Sequence, residues 1–242
     1  MTIAVIIPVL NEARLVGQTL AHTLSLGFDE VIVVDGDSTD ATRSIVESFA
    51  SPEQPGLTPG RVSMSGDLRF LSSPQGRARQ LNAGAGATQC DVLLFLHADT
   101  RLPLSAPQAI IKALREDTCV GGRFDVRFDS PRVVARCIEG LMNWRSRLSG
   151  IATGDQAIFV RREVFETIGR FSDIPIMEDI DFTRRLKGVG RFVPVSECVV
   201  TAFRRWEQNG AMRTILLMWT LRLLYWIGVS PHRLQHFYRL VR

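Results

Sequence analysis

Runs of mostly apolar residues alternate with amphipathic stretches through the first hundred positions, and this pattern carries most of the fold. Ile3 to Val9, Glu30 to Val34, Leu68 to Leu71 and Val92 to Leu96 read as strands. Between them, Ala13 to Leu26, Asp40 to Phe49 and Arg77 to Ala87 repeat apolar residues at helical spacing. The order β-α-β-α-β-α-β predicts an α/β fold with a mostly parallel sheet and helices on both faces. Ser51 to Gly60 holds three prolines and two glycines and is expected to be a surface loop before the third strand.

Past Thr100 the pattern changes. A helix is expected from about Ser105 to Arg115. Then Phe124, Val126 and Phe128 alternate with Arg123, Asp125 and Arg127, the signature of a half-exposed strand. Pro131 to Leu148 suits a helix, Gln156 to Val160 a strand, and Glu163 to Ile168 and Ile180 to Leu186 short helices. Ala211 to Val229 is strongly apolar over 19 residues but contains Arg213 and Arg222. A central arginine costs about 2.5 to 3.5 kcal/mol on insertion, so a helix lying in a membrane interface or packed on a partner is favoured over a spanning one. The expected organisation is one domain over residues 1–203, made of a nucleotide-binding half (1–100) and an acceptor half (101–203), followed by a basic amphipathic helical tail (204–242).

Charge sharpens that division. Residues 201–242 hold seven arginines against one acid, Glu207, whereas residues 1–200 carry 22 basic and 24 acidic side chains. The net charge of +4 therefore comes from the tail. Ile, Leu, Met, Trp and Tyr interleave its arginines, which suits a membrane surface better than nucleic acid. A homo-oligomer burying the same apolar helix is the other option. Cys90, Cys119, Cys137 and Cys198 form no Cys-x-x-Cys pair, and no signal peptide precedes Ile3. Neither a disulfide scaffold nor a structural zinc is expected, and the expected location is cytoplasmic, peripheral at the inner face of the plasma membrane.

Candidate chemistry gathers where the parallel strands end, the edge at which α/β sheets place their ligands. Asp35 closes the second strand and His97-Ala98-Asp99 the fourth, with Arg77 in the segment Gly76 to Asn82. Carboxylates able to hold a metal beside guanidinium groups able to hold phosphate suggest a nucleotide-sugar site. Pro8-Val9-Leu10-Asn11-Glu12 ends the first strand, where Asn11 suits a helix cap and the turn can also line a base pocket. In Asp35 to Asp40, Ser38 or Thr39 could cap the next helix while Asp35 accepts from a ribose hydroxyl or base N–H. Glu178-Asp179 reads on its own as an acidic first helical turn, placed for the macrodipole. Gly154-Asp155-Gln156 is equally a turn and a place for close approach to a sugar. Arg204-Arg205-Trp206 follows the last predicted strand and could close over a diphosphate or face a membrane.

Taken together, Ile6 to Glu12, Val33 to Asp40, Gly76 to Gly84 and Leu96 to Thr100 resemble the family 2 glycosyltransferases of the GT-A fold. Thr153-Gly154-Asp155-Gln156 followed by Met177-Glu178-Asp179 is similar to a bacterial subgroup named for its association with radical-SAM and selenoprotein-type domains. The resemblance implies that Pro8, Asn11, Glu12, Asp35, Arg77 and Ala98 surround the nucleotide. It also implies that Asp99 is the metal-binding acid of an Asp-x-Asp motif whose first Asp is here His97, itself a candidate ligand. The cofactor would be Mn²⁺ or Mg²⁺. Asp179 would be the general base with Glu178 as neighbour, and Gly154, Asp155, Arg204 and Arg205 would touch donor or acceptor. The implied reaction is inverting transfer of a sugar from a nucleotide-diphosphate donor, a UDP-sugar first, to a hydroxyl acceptor, which the apolar tail makes a candidate for lipid linkage. Two other readings stand beside it. A nucleotidyltransferase would ordinarily carry a Gly-rich basic loop after the first strand, and a non-catalytic nucleotide-binding partner protein would account for His97.

Overall fold

The computed structural model describes residues 1–50 and 67–241, without the side chains of Ala50, Arg205, Gln208, Asn209, Arg239, Leu240 and Val241. The loop expected from Ser51 to Gly60 lies outside these residues. Strands β1 (Ile3–Val9), β2 (Glu30–Asp35), β3 (Asp67–Ser72) and β4 (Val92–Phe95) alternate with helices α1 (Val16–Leu24), α2 (Thr42–Ala50) and α3 (Arg77–Gly86). There follow β5 (Thr100–Arg101), α4 (Ala106–Ala113), β6 (Cys119–Phe128), α5 (Val133–Ser149), a 3₁₀ turn (Gly154–Gln156), β7 (Ile158–Arg161), α6 (Arg162–Thr167), α7 (Glu178–Leu186) and β8 (Arg191–Thr201). The chain continues through α8 (Arg204–Asn209), α9 (Ala211–Trp226) and α10 (Pro231–Val241).

The strands form one mainly parallel sheet in the order β3-β2-β1-β4-β7-β6-β8-β5. β1 pairs in parallel with β2 on one side and β4 on the other, so strand order reverses at β1. That reversal opens a crevice beyond the carboxyl ends of β1 and β4.

The apolar runs are buried on both faces because each strand serves two cores. Ile3, Val5, Ile7 and Val9 of β1 join Val16, Leu20 and Leu24 of α1 on one face. Ala4 and Ile6 join Ala78, Leu81 and Ala85 of α3 on the other. Period-two alternation thus sorts residues between two apolar layers rather than between core and water.

The same reason overturns the half-exposed expectation for Arg123. Its side chain is 1% exposed in β6, with Nη1 paired to Asp125 and donating to the Phe124 carbonyl at 3.2 Å while Nη2 donates to Asn143 O at 3.3 Å. Neutralising the guanidinium locally makes its burial tolerable.

A second buried polar residue sets the crevice floor. Gln80 of α3, 4% exposed, donates from Nε2 to Val9 O and Val34 O, both at 2.8 Å, and so ties the carboxyl ends of β1 and β2 to one side chain. Gln80→Leu keeps the volume and removes both bonds. It is expected to cost about 1–3 kcal/mol, a drop of several degrees in Tm by calorimetry.

Candidate active site

The loops after β1 and β2 lock together at the crevice. Asn11, at φ 55°, accepts at Oδ1 from Thr39 N (2.8 Å) and Asp40 N (3.3 Å), while its own N–H donates to Ser38 Oγ at 2.9 Å. Asn11 therefore caps the neighbouring loop and not its own helix, since α1 starts at Val16 with no side-chain cap. At α2 the capping bond comes from Asp40, whose Oδ1 accepts from Thr42 N at 2.9 Å, rather than from Ser38 or Thr39. Asp35 is 3% exposed and takes Ser38 N on both oxygens, at 3.3 and 3.2 Å. Pro8 stands opposite Val34 in the ladder just before this turn. These bonds hold the two loops in a fixed relation at the strand ends.

Across the switch point, β4 delivers His97, Ala98 and Asp99. Ala98 is buried and accepts Thr19 Oγ1 at its carbonyl (2.6 Å). Asp99 is anchored by Thr100 Oγ1 at 3.3 Å, and its backbone carbonyl accepts from Ala202 N at 3.3 Å. Burial, and then the Asp99 charge, push the Glu12 carboxyl above its ordinary value, with Arg204, His97 and Arg77 opposing them. Two like charges facing one another suit a hard divalent cation, which needs only one or two protein carboxylates when substrate phosphates complete its shell. No cluster of three potential metal-ligating side chains occurs among the described residues. The side chain of Arg205 lies outside the described residues.

The other wall is the turn Gly154–Gln156. Its Gly154 N–H donates to Asp179 Oδ2 at 2.8 Å, and Asp155 Oδ1 lies 3.1 Å from His97 Nδ1. A Cβ on Gly154 would stand 2.2 Å from His97 Nε2, so only glycine lets the ring and the turn meet. Gln156, fully buried, accepts Thr153 N at Oε1 (3.2 Å) and holds the turn shut.

Beneath α7 lies an aromatic floor in which Phe171 and Phe182 centroids are 4.3 Å apart and Phe95 and Phe171 4.8 Å. This packing fixes the first turn of α7, where Glu178 and Asp179 enter after Met177 at φ 70°. Glu178 is 5% exposed, with Arg77 Nη1 3.6 Å from its Oε1. Arg77, predicted near the nucleotide, thus stands beside the acids of α7. Glu178, Asp179, Asp155 and Asp99 together hold its half-exposed guanidinium firmly protonated. Asn11, Asp37, Ala157 and Met177 all take positive φ around this crevice, where backbone strain commonly accompanies function.

Sequence reasoning missed two residues near Asp179. Arg145 of α5 and Arg222 of α9 both interact with its charge. The available signal was a charged residue, Arg222, inside an otherwise apolar helix.

Burial, followed by the charge of Asp179, raises Glu178 above its ordinary value of 4.5, with Arg77 opposing. The folded chain therefore favours the protonated form. Its contribution to stability is complete below the unfolded value and is lost as pH rises through the raised one. Glu178→Gln mimics the protonated carboxyl, so its Tm is expected to exceed the parent's near pH 7, with the gap closing at about pH 4 in a pH series of thermal melts.

Residues 4–169 match the model of the family described as Glycosyl transferase family 2. A probable glycosyltransferase, YdaM of Bacillus subtilis, is 25% identical over 227 residues, and this chain spans 86% of its own length and 50% of that relative's. Among solved structures, the mannosyltransferase PcManGT from Pyrobaculum calidifontis, in complex with GDP-Man and Mn²⁺, superposes with a TM-score of 0.70 at 20% identity over 99% of this chain and 69% of that one. Residues 1–349 of S. aureus TarS give a TM-score of 0.65 at 19% identity over 89% and 64% of the two chains. The same TarS segment in complex with UDP-GlcNAc gives 0.63 at 18% identity over 84% and 58%. The sheet order and the folds of these neighbours agree with a GT-A architecture, and the family match over most of the chain establishes that this protein belongs to glycosyltransferase family 2.

Proposed function

We propose that the crevice carries out metal-dependent, inverting transfer of a sugar from a nucleotide-diphosphate donor, UDP-sugar first, to a hydroxyl acceptor. The observation that carries this reading is the clamp that sets Asp179 beside Gly154 and His97 while His97 and Asp99 leave the same strand end. On this reading Asp179 is the base, Asp99 is the metal acid, and the Gly154 turn relates the two. Solved neighbours bound to GDP-Man with Mn²⁺ and to UDP-GlcNAc support a nucleotide-sugar donor.

In this mechanism the acceptor oxygen attacks the anomeric carbon as the bond from that carbon to the diphosphate oxygen breaks, and the acceptor proton passes to Asp179. A divalent cation held by Asp99, with Glu12 facing it, would supply charge neutralisation for the departing diphosphate. Asp179 accepts from Gly154 N at Oδ2 (2.8 Å) and from Ile180 N at Oδ1 (2.7 Å). These bonds orient the carboxylate, and any carboxylate is a weak base toward an alcohol. Proton transfer must therefore accompany bond formation rather than precede it. His97 holds Asp155 toward the sugar, Arg77 restrains Glu178, and Arg204 faces the Glu12 side, where a diphosphate would lie.

The reading extends to a membrane surface. No helix among the described residues is long and apolar enough to cross a membrane. Leu141, Trp144 and Leu148 on α5, and Met212, Leu216, Trp219, Leu223 and Trp226 on α9, form exposed stripes at helical spacing, with Trp226 84% exposed. Such faces suit peripheral seating on the inner leaflet and access to a lipid-linked acceptor.

Nucleoside diphosphate release from UDP-, GDP- and TDP-sugars, with Mn²⁺, Mg²⁺ or EDTA and cell extract as acceptor source, tests the chemistry. One donor is expected to turn over only with metal. Asp99→Ala and Asp179→Asn should each lower the rate by roughly 10²–10⁴-fold. Turnover unaffected by EDTA, or parental in Asp179→Asn, would overturn the assignment.

A further inference from the structure

Among the described residues, the buried Arg123 and the partly buried Arg161, Arg162 and Arg185 all have hydrogen-bond partners. Arg123 has Asp125 and two carbonyls. Arg161 donates to Cys119 O and Leu114 O, Arg162 to Cys90 O and Ala85 O, and Arg185 to Asp181 and two carbonyls. Arg145 of α5 differs: its Nη2 is buried without a hydrogen-bond partner. Arg222 of α9 likewise has no hydrogen bond or ion pair among the described residues, although it is only partly exposed. An unpaired buried guanidinium is costly, and a second cation beside it more so.

Helix spacing relates both arginines to one apolar cluster. Ile138 and Met142 of α5 and Ile215 of α9 belong to one apolar cluster with Phe203 and Trp206. Arg145 follows Ile138 by seven residues and Arg222 follows Ile215 by seven, so each lies about two turns further along the helix face that makes this contact. There Arg145 feels the fields of Arg222 and Asp179, and Arg222 those of Asp179 and Asp155. Burial and the Arg222 charge depress Arg145 to about 10, with Asp179 partly opposing them.

The pair is not placed for the donor diphosphate. Arg204, not Arg145 or Arg222, acts on Glu12 across from Asp99. The charges felt by Arg145 and Arg222 belong instead to the side of the crevice that holds the candidate base.

We propose that Arg145 and Arg222 form a subsite for a phosphate monoester carried by the acceptor, which anchors that molecule so that its hydroxyl meets Asp179. The inference rests on the transferase reading and names the acceptor's chemical class. Two guanidinium forks match the oxygens of a phosphate and its double negative charge, which one carboxylate would leave half compensated. The exposed Trp144 precedes Arg145 and the exposed Leu223 follows Arg222, so the subsite lies beside the exposed apolar stripes. The phosphate can therefore belong to a lipid headgroup or to a soluble molecule.

The test uses the full chain, Arg145→Gln, Arg222→Gln and Arg145→Lys, with inorganic phosphate as probe at constant ionic strength and UDP with Mn²⁺ as a separate probe. Phosphate is expected to raise the parent's Tm. Its affinity should fall roughly tenfold or more in each Gln variant and be partly kept in Arg145→Lys. UDP binding should remain parental in all of them. Without phosphate, Arg145→Gln is expected to melt at or above the parent, because an unpaired buried cation has gone.

A second arm compares sedimentation with phosphatidylcholine vesicles containing phosphatidic acid, a phosphomonoester, or phosphatidylglycerol, a diester of equal sign. Preference for phosphatidic acid that is lost in both Gln variants supports the subsite and identifies a lipid acceptor. Absence of that preference, with the phosphate response intact, supports the subsite and identifies a soluble one. No phosphate response in the parent, or an undiminished response in both Gln variants, overturns the proposal. Failure of UDP to bind the parent with Mn²⁺ would count against the transferase reading alone.

Discussion

The turn Gly154–Gln156 joins the two halves of the domain at one point, and the placement of the candidate catalytic groups depends on it. Gly154 N–H holds Asp179, Asp155 holds His97, and the bare Cα of Gly154 lets the imidazole lie against the turn. His97 leaves β4 together with Asp99, while Asp179 opens α7, so one short segment relates the candidate metal acid to the candidate base. The aromatic floor beneath α7 and the buried Gln156 resist any drift of that relation. Preorganisation of this kind removes the reorganisation that chemistry would otherwise require.

Electrostatics around the clamp are unbalanced in a consistent direction. Glu12 and Asp99 repel one another on one side, and Glu178 is buried beside Asp179 on the other, with Arg77 near the acids on both sides. Arg145 and Arg222 add positive charge that finds no hydrogen-bonded anion among the described residues. A cation on the first side and an anion on the second would relieve strain that the fold keeps in place, and this is the physical content of reading the crevice as a two-substrate site.

Much of the first hundred residues was legible because the strands there are continuous apolar runs whose ends announce themselves. Asp35 and Asp99 fall at those ends by periodicity alone. The second half was less legible for a specific reason: the side chains there are satisfied by partners distant in sequence. Alternation sent Arg123 outward, but Asp125 and two carbonyls make its burial possible. Asn11 suits a local cap, yet its partners Thr39 and Asp40 lie on the next loop. The basic tail was readable in charge and hydropathy as a surface helix, while the inner face that lays Ile215 and Arg222 onto the domain depends on α5, some seventy residues earlier. Glu178-Asp179 looked like ordinary first-turn acids, and only the meeting with Gly154 and Arg77 distinguishes them.

The central claim is that this clamp separates a metal-diphosphate acid from a base. Calorimetric titration of UDP and GDP, with and without Mn²⁺, into the parent, Asp99→Ala and Asp179→Asn tests that division most directly. The expected result is cation-dependent binding of one nucleotide that is lost in Asp99→Ala and unchanged in Asp179→Asn. Binding indifferent to Mn²⁺ and to Asp99, or lost equally in Asp179→Asn, would contradict it.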